Sequence, residues 1–178
     1  LGIDLGGNGI TANTYPPGPS QPLIRPATPA TVNYGVNSPL LHFASVPANA
    51  VDNSEVEGSL LAWPNTAFRV QIYLTDASTD INGEGSELIG EYSVTTDSIG
   101  YASFTTLLTR HLTMGQFVTA TATDFANNTS EFAANLPVGV RTKYYGTSAD
   151  GGHFVVNLTL SGIPLHWRDG LLKYRLSR

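Results

Sequence analysis

Carboxylates are the side chains of this sequence best placed to do chemistry. Glu55 and Glu57 alternate along one face of an extended segment, and Glu84, Glu87 and Glu91 line a second loop and strand. Two carboxylates across a cleft can hydrolyse a glycosidic bond, one as acid and the other as base or nucleophile. On that reading Glu55, Glu57, Glu84 and Glu87 are the catalytic candidates. Glutamates at strand edges are more often solvated outward positions, so the primary expectation is that none is catalytic. Asp80, Asn82 and Glu84 stand at alternating positions of a loop, with Gly83 to permit the turn. Such hard oxygen donors suit Ca2+, though the spacing to a bidentate Glu is not that of a helix-flanked calcium loop. Local Asx turns are the commoner use of these residues, and the same holds for Asp97 and Asp124. Tyr144, Tyr145 and Trp167 are the aromatic candidates for stacking on a sugar face. Trp63, before Pro64, is expected to cap the core, and Tyr73 and Tyr101 are expected to pack.

Other chemistries lack their residues. His42, His111, His153 and His166 are scattered, without the i, i+4 spacing of helical zinc ligands. His42 lies in an apolar strand and reads as a structural histidine. No G-x-S-x-G turn presents a nucleophilic serine. With no cysteine there is no disulfide, thiol nucleophile or thiolate zinc site. A formal charge of −5 argues against nucleic acid, whose phosphates call for a basic face. Lys143, Arg168, Lys173, Arg175 and Arg178 cluster late in the chain but read as a solvated tail. No apolar run approaches the roughly 18 residues of a membrane helix. The only Met is Met114 and no signal peptide is evident, so the chain reads as a processed piece of something longer.

The elements that must position these groups are strands. Eighteen Gly, eleven Pro and only 13% charged residues favour strands and turns over helices. Along 117–123, Phe117, Thr119, Thr121 and Thr123 point one way while Val118, Ala120 and Ala122 point the other, the period of a half-buried strand. Asp124 then accepts local backbone bonds, and Asn127-Asn128 tolerates a left-handed turn. Strands are predicted at about 40–46, 55–62, 67–75, 87–96, 101–109, 116–124 and 129–134. Seven short strands with turn signals between them read as an all-β antiparallel β-sandwich over residues 40–136, of the Ig-like kind that the resemblance below implies. Seven prolines make 14–39 an extended connector lying on the sandwich. The extension 137–178 is irregular but for one hairpin, Val138 to Tyr145 against Phe154 to Leu160.

Several ordered segments carry a family likeness. Thr121-Ala122-Thr123-Asp124 with Ala126 and Asn128-Thr129-Ser130-Glu131-Phe132, the run Leu60 to Val70, Gly83-Glu84-Gly85 with Leu88-Ile89-Gly90, and Thr95 to Phe104 resemble the Ig-like modules of secreted bacterial surface proteins. Leu1 to Asn13 resembles the segment that, in such proteins, ends a right-handed parallel β-helix and leads into the module; residues 1–13 are therefore expected to be such an end or linker. Many of those modules carry a cysteine pair near Ser78 to Glu84, which this chain lacks. The resemblance implies a structural or adhesive role, extracellular or at a bacterial cell surface, with neighbouring domains of a longer chain as partners and a glycan or surface protein as a further one. The rival function is a secreted carbohydrate-active hydrolase or its carbohydrate-binding accessory module.

Overall fold

The structure, a computed structural model, describes residues 3–5, 7–15, 22, 32–46, 53–75, 82–147 and 153–161, with the backbone alone described for 32, 141–146 and 153–161. Its elements are a short 3-10 turn (Val32–Gly35) and strands β1 (Leu40–Val46), β2 (Ser54–Leu61), β3 (Ala67–Thr75), β4 (Glu87–Thr95), β5 (Tyr101–Leu108), β6 (Phe117–Asp124), β7 (Leu136–Pro137), β8 (Gly139–Thr147) and β9 (His153–Ser161). They form two sheets, in the orders β5-β2-β1-β8-β9 and β4-β3-β6-β7. The chain makes the β1–β2 hairpin in the first sheet, crosses for β3–β4, returns for β5 and crosses again for β6. This Greek-key path makes the protein an all-β sandwich of two packed sheets. All pairs are antiparallel except β1 with β8, which run parallel through Ser45 with Gly139 and Val46 with Val140.

Period-2 alternation decides which side chains fill the space between the sheets. Val56 and Leu60 on β2, Phe68, Val70 and Ile72 on β3, and Val118, Ala120 and Ala122 on β6 are all buried in one apolar cluster. Phe104 and Leu108 on β5 join them, and Val138 closes the cluster at the start of the C-terminal hairpin. Two glycines let this layer close. A Cβ on Gly58 would lie 2.5 Å from the Phe104 ring, and one on Gly90 2.5 Å from a Leu108 methyl carbon.

The first six expected strands match β1 to β6, their ends agreeing closely. The seventh does not form. Residues 129–134 run beside β6, but only Thr129 makes a bridge, to Thr123. The Ser130 and Ala133 amides donate to the Ala122 and Ala120 carbonyls at 2.8 Å each, while side chains supply other bonds: Ala122 N donates to Ser130 Oγ, and Thr119 Oγ1 donates to the Ala133 carbonyl at 2.7 Å. Hydroxyls that bond to backbone compete with a ladder. Regular pairing resumes only at β7. The hairpin expected in the C-terminal extension is present as β8–β9, paired from Gly139 with Ser161 to Thr147 with His153. It extends the first sheet by two strands. Most of the Pro-rich connector lies outside the described residues.

Candidate functional site

The most built polar arrangement is a clamp that fixes the N-terminal segment to the sandwich. Glu131 follows Ser130 beside β6 and is only 4% exposed. Its carboxylate accepts three bonds: from Leu5 N at 3.0 Å, Thr11 N at 2.7 Å and Thr11 Oγ1 at 2.8 Å. A buried carboxylate needs such donors to replace water. Leu5 is itself buried at 9% exposure, so the segment gives the sandwich an apolar contact as well. The chain turns on itself between these two anchors, where Asp4 accepts from Asn8 N at 3.2 Å and Gly9 N at 3.0 Å. Gly9 has φ +93°, which a residue bearing a Cβ rarely adopts.

Two asparagines continue the clamp. Asn37, 4% exposed, accepts from Thr14 N at 2.8 Å and donates to the Thr14 carbonyl at 2.7 Å and the Leu61 carbonyl at 2.8 Å. One amide thus joins the N-terminal segment to the end of β2. Asn13 mirrors it on Ser38, accepting from Ser38 N and donating to the Ser38 carbonyl, both at 2.9 Å. A cavity of about 230 Å3 lies under this segment, lined by Leu5, Thr11, Tyr34, Val36, Asn37 and Glu131 among others. What the arrangement does physically is fix direction: residues 3–14 cannot swing without exposing Leu5 and breaking their bonds to Glu131, Asn37 and Ser38.

The segments that looked most like motifs do structural work. Asp97 Oδ1 accepts from Ile99 N and Tyr101 N, both at 2.9 Å, and closes the turn into β5. Gly100 in that turn has φ +91°, and a Cβ there would collide with the Ala62 carbonyl oxygen. Thr96 Oγ1 donates to the Trp63 carbonyl at 2.5 Å and accepts from Thr66 N at 3.0 Å, tying the two motif loops together. Trp63 is 4% exposed with its ring 5.9 Å from Phe68, the cap expected of it. Asp124 Oδ1 accepts from Ala126 N at 2.8 Å and Asn128 N at 2.9 Å, and the Asn128 amide reaches Oδ2 at 2.8 Å. Asn127 takes the left-handed conformation at φ +63°. The turn is built as its sequence indicates.

The catalytic candidates are dispersed. Glu55 and Glu57 are half-buried on the outward side of β2, since Val56 between them faces the core. Glu84 and Glu87 are exposed beside and at the start of β4, an edge strand of the other sheet, and Glu87 is ion-paired with Arg110. Glu91 accepts from Gln71 at 3.0 Å. Of the calcium candidates, Asp80 lies outside the described residues. Asn82 is 9% exposed and donates its amide to the Phe132 carbonyl at 2.7 Å; Gly83 N donates to Asn135 Oδ1 at 3.0 Å. Glu84 is exposed. Among the described residues no three His, Asp or Glu side chains gather to hold a metal ion. Tyr144 and Tyr145 lie on β8, where only the backbone is described, and Trp167 lies outside the described residues.

Of the aromatic and histidine expectations, that for Tyr101 changes, while His42 has the hydrogen-bond partner expected of a structural histidine. Tyr101 is 46% exposed, because odd-numbered positions of β5 face outward. His42 is also exposed, sitting at an irregularity in the β1–β2 register with Nε2 2.8 Å from Ser59 Oγ. Tyr73 is half-buried against Phe132, edge to face at 5.5 Å. No helix among the described residues is long and apolar enough to cross a membrane. Sequence reading missed Glu131 and Asn37; the one available signal was Glu131 as a lone acid in the otherwise uncharged run from Phe125 to Val140. Comparison with protein-family models and with curated proteins found no match.

Proposed function

We propose that this chain is a non-catalytic, structural or adhesive Ig-like module of an exported bacterial surface protein, which spaces or presents its neighbouring domains. The observation that carries the reading is the clamp. Glu131, Asn37 and Asn13 hold residues 3–14 in one direction relative to the sandwich. A module that serves as a spacer needs a stiff junction, because a freely jointed one transmits neither length nor orientation. Buried side chains that bond a linker to its domain supply that stiffness. The motif residues that resemble those of bacterial surface modules serve turns and loop contacts, which also accords with a structural role.

A fusion test addresses this directly. A small folded reporter domain placed before Leu1 should take one dominant orientation in small-angle scattering and residual dipolar couplings. The double substitution E131A/N37A should broaden that orientation while the sandwich stays folded. Independent tumbling of the reporter in the unsubstituted protein would sink the spacer reading. Turnover in a chromogenic-glycoside screen would replace it with the hydrolase.

A further inference from the structure

We infer that β5 is a self-complementary edge through which two copies of this chain pair antiparallel. β5 ends the five-stranded sheet, and no described strand pairs with its outer side. Its sequence, Tyr-Ala-Ser-Phe-Thr-Thr-Leu-Leu, has no charge, proline or glycine to blunt that edge. The contrast with β4, the neighbouring edge of the other sheet, is direct: Glu87 and Glu91 place two charges on that strand.

The outward side chains of β5 are Tyr101, Ser103, Thr105 and Leu107, with Tyr101 46% and Leu107 63% exposed. Opposed residues in an antiparallel pair point to the same face, so a two-fold axis through Phe104 is an allowed register. It sets Tyr101 opposite Leu107 of the second copy and Ser103 opposite Thr105, each contact occurring twice. Both exposed apolar side chains are thereby covered, and hydroxyl meets hydroxyl. A one-residue slip would oppose outward to inward positions. An eight-residue edge contact lies at the small end of specific interfaces, so the dimer is concentration-dependent.

The test is sedimentation equilibrium of the full chain from micromolar to millimolar concentration at low salt. The unsubstituted chain should show a monomer–dimer equilibrium. S103K/T105K sets lysine against lysine twice and should remain monomeric, whereas S103E/T105K sets opposite charges together and should dimerise at least as well as the starting chain. Both sites are exposed, and melting curves establish folding; if the lysine pair fails to fold, L107K carries the same expectation of a monomer. A chain that stays monomeric throughout the range overturns the proposal. So does a lysine pair that dimerises normally, which would assign another surface, or an S103E/T105K chain as monomeric as the lysine pair, which would refute the register.

Discussion

Replacing Glu131 by alanine should release the N-terminal segment and lower the stability of the whole sandwich. The carboxylate accepts from Leu5 N, Thr11 N and Thr11 Oγ1. Hydrogen bonds to a charged group are worth about 1.5–3 kcal/mol each, and a buried donor left alone costs about 1–3 kcal/mol. Simple addition would overshoot, because the segment in E131A can lift away and give its donors to water. The loss is then limited to the free energy of docking the segment. Leu5 burial contributes at most about 1.5–3 kcal/mol to that docking. Ordering each residue opposes it by about 1–2 kcal/mol, so little remains once the carboxylate is gone. A net loss of about 2–4 kcal/mol follows, the upper part of the ordinary range for one substitution. At about 2–4 °C per kcal/mol for a chain of this size, Tm should fall by roughly 5–15 °C. E131Q keeps one acceptor oxygen but turns a donor toward a donor, and should lose about half as much. Hydrogen exchange in the absence of denaturant separates the mechanism from a general loosening: the Leu5 and Thr11 amides should exchange freely, while those of β3 and β6 should stay protected, lowered by no more than the global loss of stability. An E131A protein that melts like the original with both amides still protected would refute the clamp.

Asp124→Ala should cost about 2–3 kcal/mol through the lost acceptor of Ala126 N and Asn128 N, and Asp124→Asn less, since one oxygen remains; equal melting curves for the two substitutions would contradict this account of the turn. Gly100→Ala should cost about 3 kcal/mol or more, because both its φ of +91° and the Ala62 carbonyl oppose a Cβ, and a urea midpoint indistinguishable from the original would show that the turn can yield. Asn82→Ala should cost about 1–3 kcal/mol by stranding the Phe132 carbonyl, equally in millimolar calcium and in EDTA. A calcium-dependent difference there would instead return Asn82 to a metal site with Asp80 and Glu84.

What could be read from sequence was whatever neighbouring residues decide among themselves. The alternation of Phe117 to Thr123 fixes a strand and its two faces without reference to the rest of the chain, and the structure places Val118, Ala120 and Ala122 in the core accordingly. The turn at Asp124 is equally local, its Oδ1 accepting from the amides of Ala126 and Asn128 just after it. The clamp is not of this kind. Glu131 and Leu5 are 126 residues apart, and the donors are backbone amides, which every residue but proline carries and no sequence pattern distinguishes. Tyr101 failed for a related reason: alternation gives the face a residue occupies, whereas exposure on that face depends on whether another element covers it, and β5 is an edge. The strand expected at 129–134 shows the converse limit, since Ser130 and Thr119 carry strand-compatible side chains whose hydroxyls then bond backbone in place of the ladder. The same distinction bears on function. Asp97 and Asp124, acids at the ends of the sandwich, accept from backbone amides of their own turns, and the Asn82 amide nitrogen donates to the Phe132 carbonyl. A spacing of acids or amides in a turn therefore argues for chemistry only after the local amides that compete for those groups have been counted.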